Sequence, residues 1–318
     1  LISAIVILNP DSKSHTVDTP KSEKFDWLGA FLSATSVAVF LLVMTNAYRL
    51  GWTSPFVLLA FLGVALVFLA FVKWELRVSD PMLAMELFKS RLFSLGTLAS
   101  FLAFIAGTSL FFLMPFYLQG VLNYTPGRAG LLLAPGALCF ALSGPISGRL
   151  SDRFGWRRLE VIGLVIHGAA LVVASRFNDT SPAILVVVVV AMQGVAMGTF
   201  FSPNASAVLS TVKTARYGIA TAFLNMTRNA ANVTGVGLVT AIVTVVMASS
   251  GYEPSLDVLT EAGGDIGVKT AFTDGLRVAL LLLTGLVVVA IGLSIFKGGG
   301  LSDEDTVIGT DRRLPSKA

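Results

Sequence analysis

The sequence predicts an all-α membrane protein, a polytopic bundle with eight transmembrane helices. Apolar residues fill 54% of its 318 positions and charged residues 13%, where ordinary soluble chains carry about 25% charge, so most of this chain has hydrocarbon as its solvent. Eight apolar segments reach or approach the ~20 residues a helix needs to cross a bilayer. Lysine and arginine gather on alternate connections between those segments, the pattern that fixes orientation in a membrane.

Taken in order, Leu1 to Leu8 is apolar but has no initiator Met, basic n-region or small-residue cleavage site, and reads as the end of a helix that begins upstream. Asn9 to Phe25 is a polar linker in which Pro10 and Pro20 block helix continuation. The eight spans are Trp27 to Tyr48, Pro55 to Trp74, Phe93 to Leu118, Gly127 to Ser147, Leu159 to Ser175, Pro182 to Ser202, Ile219 to Met247 and Leu276 to Phe296. They are hydrophobic all round with glycine and proline embedded, which favours membrane helices over buried strands. Gly144, Pro145, Gly194, Gly198 and Pro203 read as close-packing and kink positions. Trp27, Tyr48, Trp52, Trp74, Tyr117 and Tyr124 sit at span ends, as interfacial aromatics do.

Placing the first linker on the cytoplasmic side puts Lys13, Lys21, Lys24, Lys73, Arg77, Lys89, Arg91, Arg149, Arg153, Arg157, Arg158, Lys213, Arg216, Lys297, Arg312, Arg313 and Lys317 inside. Only Arg49, Arg128, Arg176, Lys269 and Arg277 then fall outside. This arrangement accounts for the net charge of +4 without a nucleic-acid partner. A lone Cys139 excludes an intramolecular disulfide, and with only His15 and His167 beside it a Cys/His metal site is not expected. No nucleophile, base and orienting acid converge in the spans, so an enzyme is not expected either.

Between the fourth and fifth spans lies the densest charge, Gly148-Arg149-Leu150-Ser151-Asp152-Arg153-Phe154-Gly155-Trp156-Arg157-Arg158. It reads as a tight cytoplasmic turn, with Gly148 and Gly155 easing the backbone and Asp152 able to cap a helix or pair with an arginine. The spacing of Gly148, Leu150, Asp152, Arg153, Gly155, Arg157 and Arg158 resembles G-x-L-x-D-R-x-G-x-R-R, the loop signature of the major facilitator superfamily. Phe25-Asp26-Trp27-Leu28-Gly29-Ala30, Gly51-Trp52-Thr53-Ser54-Pro55, Glu75-Leu76-Arg77, Asp80-Pro81 and Phe88-Lys89-Ser90-Arg91 are similar to the centre of its fourteen-helix drug:proton antiporter branch. Pro115-Phe116-Tyr117-Leu118-Gln119, Thr125-Pro126-Gly127-Arg128-Ala129-Gly130, Ala134-Pro135-Gly136, and Arg228 followed by Gly235 and Gly237, resemble the C-terminal half of that branch.

The resemblance implies four regions. Residues 1–26 are the end of an upstream helix and a cytoplasmic linker, 27–92 an inserted helix pair with its cytoplasmic loop, 93–297 a C-terminal six-helix half, and 298–318 a cytoplasmic tail. It further implies a missing N-terminal half of six helices and a secondary active transporter in the cell membrane. That transporter would export amphipathic or cationic small molecules by alternating access, with no cofactor and the proton gradient as energy source. Its partners would be the small-molecule substrate, the bilayer and the missing half. A transporter of one specific metabolite, or a non-transporting scaffold or receptor on the same fold, remain alternatives. The resemblance assigns Gly148, Asp152, Arg153, Gly155, Arg157 and Arg158 to conformational switching.

Candidate path-lining residues are the polar ones that hydrocarbon rejects. Asn225, Arg228, Asn229 and Asn232 recur at helical spacing and share a face with Thr221. An arginine within a span costs about 2.5 to 3.5 kcal/mol on insertion scales, and such residues normally face protein or water. The alternative is that Arg228 snorkels toward the cytoplasm while the asparagines bond between helices. Gln193 and His167 are weaker candidates, His167 as a packing residue or a proton carrier. Every acidic residue lies in a loop, a tail or at a span end, so a titrating carboxylate is expected in the missing half. Asn123 and Asn178 match the glycosylation pattern on short outer loops.

Overall fold

The computed structural model describes residues 26–50, 54–75, 77, 85–212, 214–253, 256, 259 and 266–297. Each of the eight predicted spans is a helix: α1 Trp27–Leu50, α2 Pro55–Glu75, α3 Arg91–Phe116, α4 Pro126–Phe154, α5 Trp156–Ala174, α6 Ala183–Leu209, α7 Tyr217–Ser249 and α8 Ile266–Phe296. No strand occurs among the described residues. Six of the helices are long and apolar enough to cross a membrane by length and composition alone, the exceptions being α1 and α5. The first linker, Leu1 to Leu8, Trp52, Asp80-Pro81 and the tail after Lys297 lie outside the described residues.

Local chemistry sets the helix starts. Asp26 accepts the Gly29 amide at 2.8 Å and the Trp74 indole N–H at 3.1 Å, capping α1 and tying it to the end of α2. Ser54 and Ser90 cap α2 and α3 in the same way, through the Val57 and Phe93 amides. With Pro115 near its end, α3 passes into a π-helical turn, Tyr117–Val121. The Tyr117 hydroxyl then donates to the Asn178 carbonyl at 2.6 Å, pinning the C-terminal end of α3 to the α5–α6 loop.

Helices α3 to α8 form one bundle. The tightest pairs are α4 with α6 and α5 with α6, while α3 packs on α7 and α8, and α1 lies against α2 and α7. Glycine decides the α4–α6 contact. A Cβ on Gly194 would sit 2.1 Å from the Gly136 carbonyl oxygen, and one on Gly198 would meet Ser143 Oγ at 2.0 Å. Only hydrogen fits at either place, so the backbones approach closely enough for Ser147 Oγ to donate to the Gly198 carbonyl at 2.9 Å. Gly235 plays the same part between α7 and α3, where a Cβ would stand 2.6 Å from the Ile105 carbonyl oxygen.

Three boundaries differ most from the sequence reading, one of them the end of α6, which runs past Ser202 to Leu209. The arginine-rich stretch does hold a tight turn, but most of it is helix: α4 continues through Gly148, Asp152 and Arg153 to Phe154, and Gly155 alone, at φ +85°, turns the chain into α5. Hydropathy marks where hydrocarbon ends, whereas a helix is free to run on into water. For the same reason α8 begins ten residues before Leu276. Its first turns are amphipathic, with Val268, Ala271, Phe272 and Gly275 buried and Thr270 and Asp274 exposed.

Candidate functional site

The polar face of α7 opens beside α3 and α6. Thr221, Asn225 and Arg228 line a cavity of ≈ 80 Å³ together with Ser100 and Phe104 of α3 and Phe201 and Asn204 of α6. The Arg228 guanidinium carbon lies 5.6 Å from the Phe201 ring centre and 5.9 Å from that of Phe104, and the two rings meet edge to face at 5.5 Å. These ring faces attract the charge but accept none of its five N–H groups in good geometry. Among the described residues Arg228 has no hydrogen bond or ion pair. Asn225 and Asn229 are exposed, whereas Asn232 accepts from the Thr108 hydroxyl at 2.6 Å and so bonds α7 to α3.

A second polar cluster lies at the bundle end where α5 begins and α8 finishes. Lys297 donates to both oxygens of Glu160, at 2.8 and 2.9 Å, and to Asn204 Oδ1 at 2.6 Å. Both charged side chains are fully buried. The ammonium also faces the Trp156 ring at 4.9 Å. Burial pushes the Lys297 ammonium below the usual lysine range, and Glu160 offsets part of that shift. Asn204 Nδ2 in turn donates to Ser100 Oγ at 2.6 Å and to the Gly96 carbonyl at 3.3 Å, so the cluster reaches α3 and the wall of the Arg228 cavity.

Sequence reasoning missed this cluster. Glu160 and Lys297 each look like an ordinary interfacial charge, and Asn204 falls just past the predicted end of its span. The available signal was the small Gly96: a Cβ there would meet Val208 Cγ2 at 2.5 Å and Lys297 Cε at 3.1 Å, so glycine leaves room for both side chains.

His167 and Gln193, separate candidates in the sequence, form one buried pair with Nδ1 of the ring 2.6 Å from the amide oxygen. With Nδ1–H donating, His167 Nε2 and Gln193 Nε2 are left without partners. The pair sits inside the packing of α5 on α6, and neither residue lines the Arg228 cavity. At the turn, Asp152, Arg153, Arg157 and Arg158 are all exposed, and no ion pair joins Asp152 to an arginine among the described residues. Arg157 instead donates to the Ile295 carbonyl at the end of α8, and the Arg153 guanidinium lies over the Phe154 ring.

A bundle of long apolar helices with a polar face along one of them is the architecture of a multi-span membrane protein. Residues 20–236 match the model of the Major Facilitator Superfamily, and the chain belongs to that family. It is 32% identical over 243 residues to the uncharacterized transporter YhcA of Bacillus subtilis, covering 76% of this chain and 46% of that protein. It is 27% identical over 270 residues to the lincomycin resistance protein LmrB of Listeria monocytogenes, covering 85% and 56%. It is 28% identical over 211 residues to the riboflavin transporter RibZ of Clostridioides difficile, covering 66% and 44%. The chain thus spans about half the length of the curated relatives it matches. Among solved structures, an inward-facing, unoccupied bacterial homologue of the human lysosomal transporter Spinster shares the fold, with a TM-score of 0.53 at 17% identity. That match covers 85% of this chain and 63% of the other.

Proposed function

We propose that this chain is the C-terminal portion of a proton-coupled exporter of small amphipathic compounds, of the fourteen-helix branch. It would reside in the plasma membrane with its C-terminus in the cytoplasm. The observation that carries the reading is Arg228: a cation whose side chain has no hydrogen-bonding partner among the described residues, on a polar helix face that opens between two aromatic rings. A side chain of that kind facing lipid would be left unsolvated, so the face is suited to a wet path at the junction with the rest of the transporter. The name of LmrB supports drug export as the direction. Under this reading α3 to α8 are one half of a pair that rocks about a midplane site, with the Asp152 turn biasing the two states. The relation to a riboflavin transporter favours a second reading, a carrier dedicated to one metabolite.

The test is transport by the intact protein in inside-out membrane vesicles. An acid-inside gradient is expected to drive a panel of unrelated amphipathic dyes into the lumen, and a protonophore to stop it. Accumulation of a single compound from the panel supports the metabolite carrier instead. No gradient-driven accumulation of any compound counts against both.

A further inference from the structure

Asn204 connects the two polar clusters, and its orientation fixes the sign of the cavity. An asparagine amide can be turned either way around, but here the choice is made by its neighbour. Lys297 has only hydrogens to offer, so the oxygen of Asn204 must face it. The amide NH₂ therefore points toward α3 and donates to Ser100 Oγ. Ser100 accepts that bond, and its own hydroxyl proton has no acceptor among the described residues. Lys297 donates both to Glu160 and to Asn204, and from Lys297 the bonds run with one polarity through Asn204 to Ser100, ending in a donor on the cavity wall. Arg228 presents donors to the same cavity, and no carboxylate lines it.

The one charged group and the oriented hydroxyl of the cavity, Arg228 and Ser100, are therefore donors, beside Thr221, Asn225 and Thr227, which can donate or accept, and the rings of Phe104 and Phe201 flank them. At ≈ 80 Å³ it has room for a headgroup only, since sites for drug-sized ligands run from about 300 Å³ upward. The remainder of any ligand must extend along the exposed side of α7, past Asn225.

We propose that this cavity is an anion subsite, and that the substrates it selects are amphipathic weak acids carrying a carboxylate beside a flat apolar group. The carboxylate accepts from the Arg228 fork and the Ser100 hydroxyl, and the flat group lies against the phenylalanine rings. This inference rests on the transport reading above and narrows it: a cationic substrate finds no acceptor of opposite charge here.

Binding of three matched probes to the intact transporter in detergent tests it: 1-pyrenebutyrate, its primary amide, and a pyrenebutyl trimethylammonium, each followed by fluorescence at pH 7.5. The carboxylate is expected to bind at least about tenfold more tightly than the amide, with the ammonium weakest, since bonds to a charged group are the stronger ones. Arg228→Gln should abolish the carboxylate preference and Arg228→Lys retain part of it. Ser100→Ala, which leaves Asn204 Nδ2 its bond to the Gly96 carbonyl, should reduce the preference severalfold. The inference is overturned if the ammonium binds as tightly as the carboxylate. It is overturned equally if the preference survives Arg228→Gln or, should that variant not fold, survives Ser100→Ala. A transporter that exports amphipathic dyes but prefers the ammonium loses this inference and keeps the efflux reading. One that shows the Arg228-dependent preference yet moves no compound loses the efflux reading alone.

Discussion

Lys297 and Arg228 are both cations held by an apolar bundle, and they are treated oppositely. Lys297 is fully buried, with a carboxylate and an amide oxygen taking its three hydrogens. Arg228 is half-buried, lies beside two ring faces, and its side chain has no hydrogen bond or ion pair among the described residues. Satisfying a buried charge internally fixes geometry, because removing either partner strands the other in low dielectric. Leaving a charge open keeps its binding capacity for something that arrives. The first arrangement holds α3, α5, α6 and α8 together at one end of the bundle, and the second faces the cavity.

The strongest way to break this contrast is to remove one member of the closed pair. Lys297→Ala or Glu160→Ala should each destabilise the protein by about 3 to 5 kcal/mol, read as a large fall in the thermal midpoint in detergent. The double change Glu160→Leu with Lys297→Met should recover most of that loss, because no stranded charge remains. A double variant as unstable as the singles would show that the cluster matters through something other than the ion pair.

For the open cation the signature reverses. Arg228→Ala should leave the thermal midpoint within a degree or two of the parent but cut transport by about ten- to a hundredfold, the equivalent of one charge-assisted bond. Arg228→Lys should keep part of the activity, since the charge remains while the fork is lost. A thermal midpoint that drops with Arg228→Ala would move this residue into the structural class with Lys297.

The smallest effect is expected at the turn. Asp152 is exposed and unpaired among the described residues, so Asp152→Asn removes no internal bond. It should slow transport a few fold while substrate affinity stays nearly constant, which binding and turnover measured on one preparation would separate. Equal losses in both would tie Asp152 to the binding site.

All eight helices are legible in the sequence because hydrophobicity all round is a strong signal over twenty residues. Their ends are not. Phe154 and Ile266 terminate helices that run beyond hydrocarbon, where amphipathic turns register as loops. The α7 face is legible for the same reason as the helices: Thr221, Asn225, Arg228 and Asn232 repeat at a period one helix can report. What brings Glu160 to Lys297 is packing across 137 positions of chain, and periodicity within a segment carries no information about that. His167 and Gln193 show the intermediate case, since each stands out as polar in an apolar run while their pairing at 2.6 Å does not.

The glycine contacts between α4 and α6 bear on how the motion of such a protein can be measured. Two backbones joined so closely that a methyl group cannot enter form a stiff beam. Spin labels at Leu138 of α4 and Val188 of α6, both exposed, should therefore keep one distance and one narrow distribution whatever the substrate or pH gradient. Such a pair is an internal ruler. Any change of distance between that beam and a label elsewhere in the intact transporter can then be assigned to rigid movement against it, rather than to distortion of the half that carries the label.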